Sequence, residues 1–258
     1  MSKNILITGG SGYVAQSLFN CLKHDNKITL LTRKELDLAN PIETNNWFKD
    51  KHFDCVLHTA ITGGNRSVID TSDTLDNNLL LYYNLLRNQD HFTKFINFGS
   101  GAELYSNNTP YGLSKFVIYK SILEKRNFFN IRIFAVFDEN ENERRFIKSN
   151  IIRYINKQPL VIHKNKFMDF FYMEDLLNLV RFYIENEAPP KTIDCTYSSS
   201  STLLDIAKEI NNLGSYQCDV NILDNLDMDA PYTGEHTQLL NYIGLYNGIK
   251  NVYGLLYK

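Results

Sequence analysis

A tyrosine and a lysine stand four residues apart in the stretch Tyr111-Gly112-Leu113-Ser114-Lys115. On a helix that spacing stacks the two side chains on one face. A phenol beside a cation ionises more readily, so such a pair can pass a proton to or from a carbonyl or hydroxyl oxygen. Ser100, just past an apolar run, offers a hydroxyl that would hold the same oxygen. The competing reading is a surface tyrosine next to a solvated lysine. Only the elements that position these residues can decide between the two.

Proton transfer of this kind is useful where a hydride moves at the neighbouring carbon, and the amino-terminal residues prepare a place for a hydride carrier. The apolar run Asn4–Thr8 is followed by Gly9-Gly10-Ser11-Gly12-Tyr13-Val14-Ala15, which reads as strand, tight turn and amphipathic helix. Gly10, Gly12 and Ala15 satisfy G-x-G-x-x-A, and Gly9, Gly12 and Ala15 give the related spacing with residues three apart. Glycine lets the backbone approach a pyrophosphate, and a helix amino terminus stabilises it. Cofactor contacts are therefore expected from Gly9, Gly12, Tyr13 and Val14. A second strand over 27–32 ends in Thr32-Arg33-Lys34, with Asp37 and Leu38 close behind. An acid at this strand end would select the ribose 2′-hydroxyl of NAD, whereas cations favour the extra phosphate of NADP. NADP(H) is thus the preferred cofactor and NAD(H) the second choice. The third strand, 53–60, carries Thr59 and Ala60 toward the cofactor. The glycine-rich segment 61–67 is placed to lie over it, with Gly64 and Asn65 as candidate substrate contacts.

Strands continue to alternate with helices through Ser100 and the Tyr111 helix, which implies an α/β fold with a Rossmann-type, doubly wound parallel sheet. Ligands of such sheets bind outside the carboxyl ends of the strands, where the nucleotide loop, Ser100, Tyr111 and Lys115 would gather. That context favours the catalytic reading of the tyrosine–lysine pair. Residues 1–135 are expected to form the dinucleotide-binding domain. Residues 136–258 should form mainly a substrate-binding lobe, with some segments returning to the sheet. In that lobe 137–145 reads as a charged, mobile loop at the site entrance, 144–157 as an amphipathic helix, and Thr202 with Asp205 as a helix cap.

Composition removes other function classes. The chain has 258 residues, 43% hydrophobic and 22% charged, with a formal net charge of −2. It therefore lacks the basic surplus of a general nucleic-acid binder. Four scattered cysteines and six histidines show no metal-ligand or disulfide spacing, and this cysteine usage suits a reducing compartment. No apolar run approaches the ~20 residues of a membrane span. A cytoplasmic protein without metal, nucleic acid or membrane as partner is expected.

The motifs 8–15, 58–64, Asn78 with Asn84, Ser100 and 110–115 together resemble the extended short-chain dehydrogenase/reductase superfamily, the NAD-dependent epimerase/dehydratase family of nucleotide-sugar enzymes. Within it, 30–38, Gly63-Gly64 and 98–105 look most like GDP-fucose synthases and related 4-keto-sugar reductases. The resemblance implies Tyr111, Lys115 and Ser100 as the catalytic set, Arg33 as the contact to the NADPH phosphate, and a homodimer. It extends into the second half through 130–141, 167–180 and the closing helix at 242–256. Three departures matter. Counting back from Tyr105 puts the catalytic serine position on Gly101, so Ser100 would need a bulge to serve. Met168 stands where an arginine often binds substrate phosphates, leaving Lys166, Arg144 or Arg145 as substitutes. Ala135 replaces a customary asparagine. Glu103 aligns with a catalytic glutamate of the 4,6-dehydratases and with the epimerising cysteine of GDP-fucose synthases. It reads as an epimerising base or as an exposed glutamate before a turn. The expected activity is NADPH-dependent reduction of a nucleotide-linked 4-keto-6-deoxy sugar at C4. The alternatives are a nucleotide-sugar epimerase that retains its cofactor and a non-catalytic dinucleotide sensor.

Overall fold

The computed structural model describes residues 2–64, 68–224 and 227–257. It comprises two compact units, Met1–Arg132 with Val180–Ile193, and Ile133–Leu179 with Asp194–Lys258. The first unit is built on β1 (Asn4–Thr8), β2 (Lys27–Leu31), β3 (Phe53–His58), β4 (Phe92–Ser100) and β5 (Phe128–Ile133). They join a six-stranded parallel sheet, in the order β2-β1-β3-β4-β5-β10, that ends on β10 (Thr192–Asp194). The strands are almost continuously apolar because helices cover both faces: Ile5, Leu6, Ile7, Val56, Leu57, Phe95 and Ile96 are all fully buried. Between the strands run α1 (Tyr13–Leu22), α2 (Pro41–Phe48), α3 (Ser72–Arg87), α4 (Ala102–Tyr105) and α5 (Pro110–Leu123).

After β1 the chain builds outward to β2, then crosses to β3 on the opposite side of β1, which creates the switch point where doubly wound sheets bind ligands. Packing there is tight. Gly9 leaves β1 with φ +69°, and a Cβ on it would lie 2.7 Å from both Cα and N of Ala60. Thr59 donates its hydroxyl to the Thr8 carbonyl at 2.6 Å, and the Ala60 amide donates to the Thr8 hydroxyl at 3.3 Å. Only glycine satisfies both the left-handed backbone and the missing side chain.

In the second unit three short strand pairs frame a core: β6 (Val136–Phe137) with β9 (Phe171–Tyr172), β7 (Leu160–Lys164) with β12 (Val220–Asp224), and β8 (Phe167–Met168) with β11 (Ser201–Thr202). The helices α6 (Phe146–Ile155), α8 (Leu203–Asn211) and α9 (Leu245–Leu256) bury Ile147, Ile151, Ile206, Ile210, Ile249 and Val252 among them. The helix α7 (Met173–Glu185) runs from this unit into the first. Thr202 and Asp205 form the capping box of α8 that their spacing announces, with the Asp205 amide donating to the Thr202 hydroxyl at 3.1 Å. Among the described residues no helix is long and apolar enough to cross a membrane.

The charged stretch 138–145 departs in part from expectation. Asn140 and residues 142–145 are exposed as expected, but Asp138 and Glu141 turn inward and are only 6% and 5% exposed. The Asn140 amide donates to Asp138 at 2.7 Å, and the Lys148 ammonium donates to the carbonyls of Glu139 and Glu141 at 2.7 and 2.9 Å. Burial pushes the Glu141 carboxyl up to about 8, although the Arg145 guanidinium stands 4.0 Å away. The folded chain therefore keeps Glu141 protonated at neutral pH while the unfolded chain ionises it. Stability from this group is complete below pH 4.5 and drains away as pH rises toward 8. Glu141→Gln should raise the melting temperature by several degrees at pH 8, with the gain shrinking toward pH 4.5. At the switch point, Gly9→Ala should cost about 2–4 kcal/mol in denaturant titrations.

Candidate active site

Beyond Gly9 the turn is closed by its own backbone: the Gly12 amide donates to the Gly9 carbonyl at 2.8 Å, and the Gly10 amide reaches the Leu31 carbonyl at 2.9 Å. Gly12 is the N-cap of α1 and brings no side-chain cap, and no acid sits in the first turn. The positive end of α1 is thus left for an outside anion, and a Cβ at Gly12 would stand only 3.2 Å from the Gly9 carbonyl. Ala15 is fully buried, so its methyl allows the helix to sit close to the sheet. Tyr13 and Val14 are half-buried at the start of α1. This turn fits the pyrophosphate of a dinucleotide.

Past β2 the chain turns sharply, with Glu35 accepting from the Thr32 amide at 2.8 Å. Arg33 is largely exposed and pairs with Asp37 at 3.2 Å. Leu38 points into the core, and its carbonyl accepts from Asn84 at 2.8 Å. Any ligand contact of Leu38 therefore runs through its backbone. Thr59, Ala60 and Gly64 follow β3. A Cβ on Gly64 would lie 2.7 Å from Cζ of Tyr111, so this segment rests directly on the tyrosine ring. Asn65 lies outside the described residues.

Tyr111 and Lys115 lie on a helix, as their stretch reads, and it starts at Pro110. Thr109 caps it by accepting from the Gly112 amide at 3.2 Å, and Pro110 occupies the first turn. Tyr111 is half-buried and Lys115 is 5% exposed. The Lys115 ammonium stands 5.9 Å from the centre of the Tyr111 ring and donates to the Phe98 carbonyl of β4 at 2.6 Å. Burial pulls Lys115 down to about 8, against the opposing pull of the Glu103 carboxylate. The surface reading of the pair fails, because a solvated lysine would not be buried against a strand carbonyl.

Ser100 closes β4, and its hydroxyl oxygen accepts from the Ala102 amide at 3.2 Å as the chain turns straight into α4. A hydroxyl that accepts there keeps its own proton free to donate. Glu103 corrects its expectation of exposure: it is 1% exposed, and its oxygens accept from the Ser100 amide at 3.0 Å and from Arg132 Nε at 2.8 Å. A carboxylate so engaged is not open to a ligand. Arg144 and Lys166 belong to the second unit, where Arg144 is exposed and Lys166 pairs with Asp229 at 3.7 Å.

The contacts of two supporting residues, Asn78 and Asp70, escaped the sequence. Asn78 on α3 accepts from the Thr62 amide at 2.8 Å and donates to the Thr62 carbonyl at 2.9 Å and to Ser114 at 3.0 Å. Ser114 in turn donates to the Tyr111 carbonyl at 2.7 Å. Asp70 accepts from the Gly64 amide at 3.1 Å. The asparagine was visible in the sequence as a polar break in an apolar helix, but neither partner was.

No curated protein sequence matches the chain. Solved structures do match, at low identity. The GDP-mannoheptose C4 reductase of Campylobacter jejuni, solved with NADP bound, shares 16% identity over 100% of this chain and 99% of its own, with a TM-score of 0.80. A GDP-L-fucose synthetase from Naegleria fowleri bound to NADP shares 15% over 97% and 91%, at 0.74. The UDP-glucuronic acid 4-epimerase of Bacillus cereus, in complex with NAD, shares 17% over 98% of each chain, at 0.76. The similarity is one of fold. The family model for the NAD dependent epimerase/dehydratase family matches residues 5–195, and with the glycine turn and the buried tyrosine–lysine pair inside that span, the chain belongs to this family.

Proposed function

We propose that the chain is an NADPH-dependent reductase that acts at C4 of a nucleotide-linked 4-keto-6-deoxy sugar. The observation that carries the reading is the buried Lys115 ammonium beside the Tyr111 ring, at the edge of the sheet where the glycine turn opens. Bound against Gly9, Gly12, Tyr13, Val14, Thr59 and Ala60, the nicotinamide dinucleotide supplies the hydride. Tyr111 gives its hydroxyl proton to the C4 oxygen as charge develops there, and the Lys115 ammonium stabilises the phenolate left behind. The Ser100 hydroxyl donates a hydrogen bond to the same oxygen and keeps its proton. Exposed Arg33 is free to swing from Asp37 to a 2′-phosphate, which supports NADP(H) over NAD(H). The two NADP-bound structures at similar fold act on GDP-sugars by their names, which supports the substrate class.

An epimerase that retains its cofactor is the second reading, favoured by the similarly sized Bacillus epimerase. The two differ in stoichiometry, because a reductase consumes NADPH and an epimerase does not.

Mixing the protein with NADPH and a panel of nucleotide-linked 4-keto-6-deoxy sugars should consume reduced nicotinamide in proportion to one of them. Tyr111→Phe should lower kcat on that sugar about 10²–10⁴-fold. Interconversion of saturated nucleotide sugars without net loss of NADPH would replace the reductase by the epimerase. Arg33→Ser should reduce the preference for NADPH over NADH about tenfold or more, read from the two KM values.

A further inference from the structure

Glu103 is the charged group that the proposed reaction leaves without a task. It lies in the short α4, yet its side chain turns inward beneath the end of β4. Besides the Ser100 amide and Arg132, it accepts from Asn130 Nδ2 at 3.2 Å, and Asn130 is itself held by Asn97 at 2.7 Å. Its carboxylate fills the space beside Gly99, where any Cβ would overlap Glu103 Oε1 and the Asn130 amide. An epimerising base needs an open lone pair facing a sugar carbon. Glu103 is closed in on all the sides the structure describes.

The placement does suit a different task. Phe98 and Ser100 stand two residues apart on β4; the first holds the Lys115 ammonium through its carbonyl and the second is held by Glu103 through its amide. Several groups face Lys115. Tyr111 lies on its own helix and His58 on β3, where it accepts or donates at 2.9 Å with the Thr8 hydroxyl. The Phe98 carbonyl comes from β4 and Glu103 from α4, with Arg132 of β5 behind Glu103 and packed on the Tyr119 ring at 4.9 Å. Burial drives His58 down to about 3, so it is neutral. Burial raises the Glu103 carboxyl, while Arg132 at 2.8 Å, the Ser100 amide and Lys115 itself favour its ionised form, so Glu103 is the single anion beside the two cations Lys115 and Arg132. Without it, Lys115 and Arg132 would share the interior with no negative charge between them, and the more easily deprotonated of the two is the lysine.

We propose that Glu103 is a positioning residue: its buried carboxylate keeps the Lys115 ammonium charged and pins the Ser100 turn, and so sets the pH range over which Tyr111 delivers its proton. The link from Glu103 to Lys115 is independent of the substrate, while the consequence for Tyr111 rests on the proposed reductase reading. A direct titration of Lys115 separates the two. Protein grown with ¹³C-labelled lysine would be titrated by NMR through the Lys115 Cε shift, assigned by its loss in Lys115→Met. In the unmodified chain the midpoint is expected near 8, and one below neutrality overturns the proposal. Glu103→Gln keeps the shape but removes the charge, and should lower the midpoint by about one pH unit. Glu103→Asp should restore most of it. A purely structural glutamate would cost melting temperature in Glu103→Gln and leave the Lys115 midpoint in place, which would also overturn the proposal. If Glu103→Gln does not fold, the double variant Glu103→Gln with Arg132→Gln is compared with Arg132→Gln alone, so that the arginine's own effect on Lys115 drops out, and an equal Lys115 midpoint in the two is equally decisive. Failure of every sugar in the reductase assay would leave this titration unaffected.

Discussion

An ammonium group inside a protein has to be matched where it sits, and in this chain that requirement organises everything around Lys115. Burying the cation beside a tyrosine ring gives the phenol a neighbour that favours its ionised form. The same burial makes the lysine easier to deprotonate, and the two effects pull against each other. The structure answers with a short hydrogen bond to a strand carbonyl and an anion fixed nearby. That anion brings its own demands: an arginine on β5, an asparagine to hold it, and a glycine on β4 to leave it room. Isolated, each member would be a costly buried polar group; together they satisfy one another.

The polar groups at this end of the sheet are arranged in a row. Thr8, His58 and Asn97 are register partners on β1, β3 and β4, and Asn97 bonds to Asn130 on β5. The row lies just where the apolar strand interiors give way to the ligand edge. A neutral histidine belongs there, since a second charge next to Lys115 would weaken the first. The row also explains why the strands end as they do. Apolar runs need no lateral partners, but the first polar side chain past them must find one on the adjacent strand.

Much of this architecture is local in sequence and could be read there. The strand–glycine–helix order and Thr202 with Asp205 are local signals, and each forms the expected turn or cap. What escaped depends on partners far along the chain. Glu103 looked like an exposed residue or a base because nothing near it in sequence reveals Arg132, 29 positions away. The stretch 138–145 looked solvated because charge density argues for water, and only the fold shows Lys148 folding back over the carbonyls. At Gly99, too, only the fold shows the constraint, since any Cβ there would overlap Glu103 Oε1. A side chain has to be absent where a carboxylate must pass.

The bond between Asn78 and Thr62 carries one more consequence. A side-chain amide that both accepts from an amide and donates to the carbonyl of the same residue imitates a neighbouring strand. The segment after β3 is thus paired as if the sheet continued for one more residue, with α3 in the role of the next strand. Such pairing fixes length as well as position. Between Thr59, anchored on Thr8, and Thr62, anchored on Asn78, no residue can be added or lost without breaking one anchor.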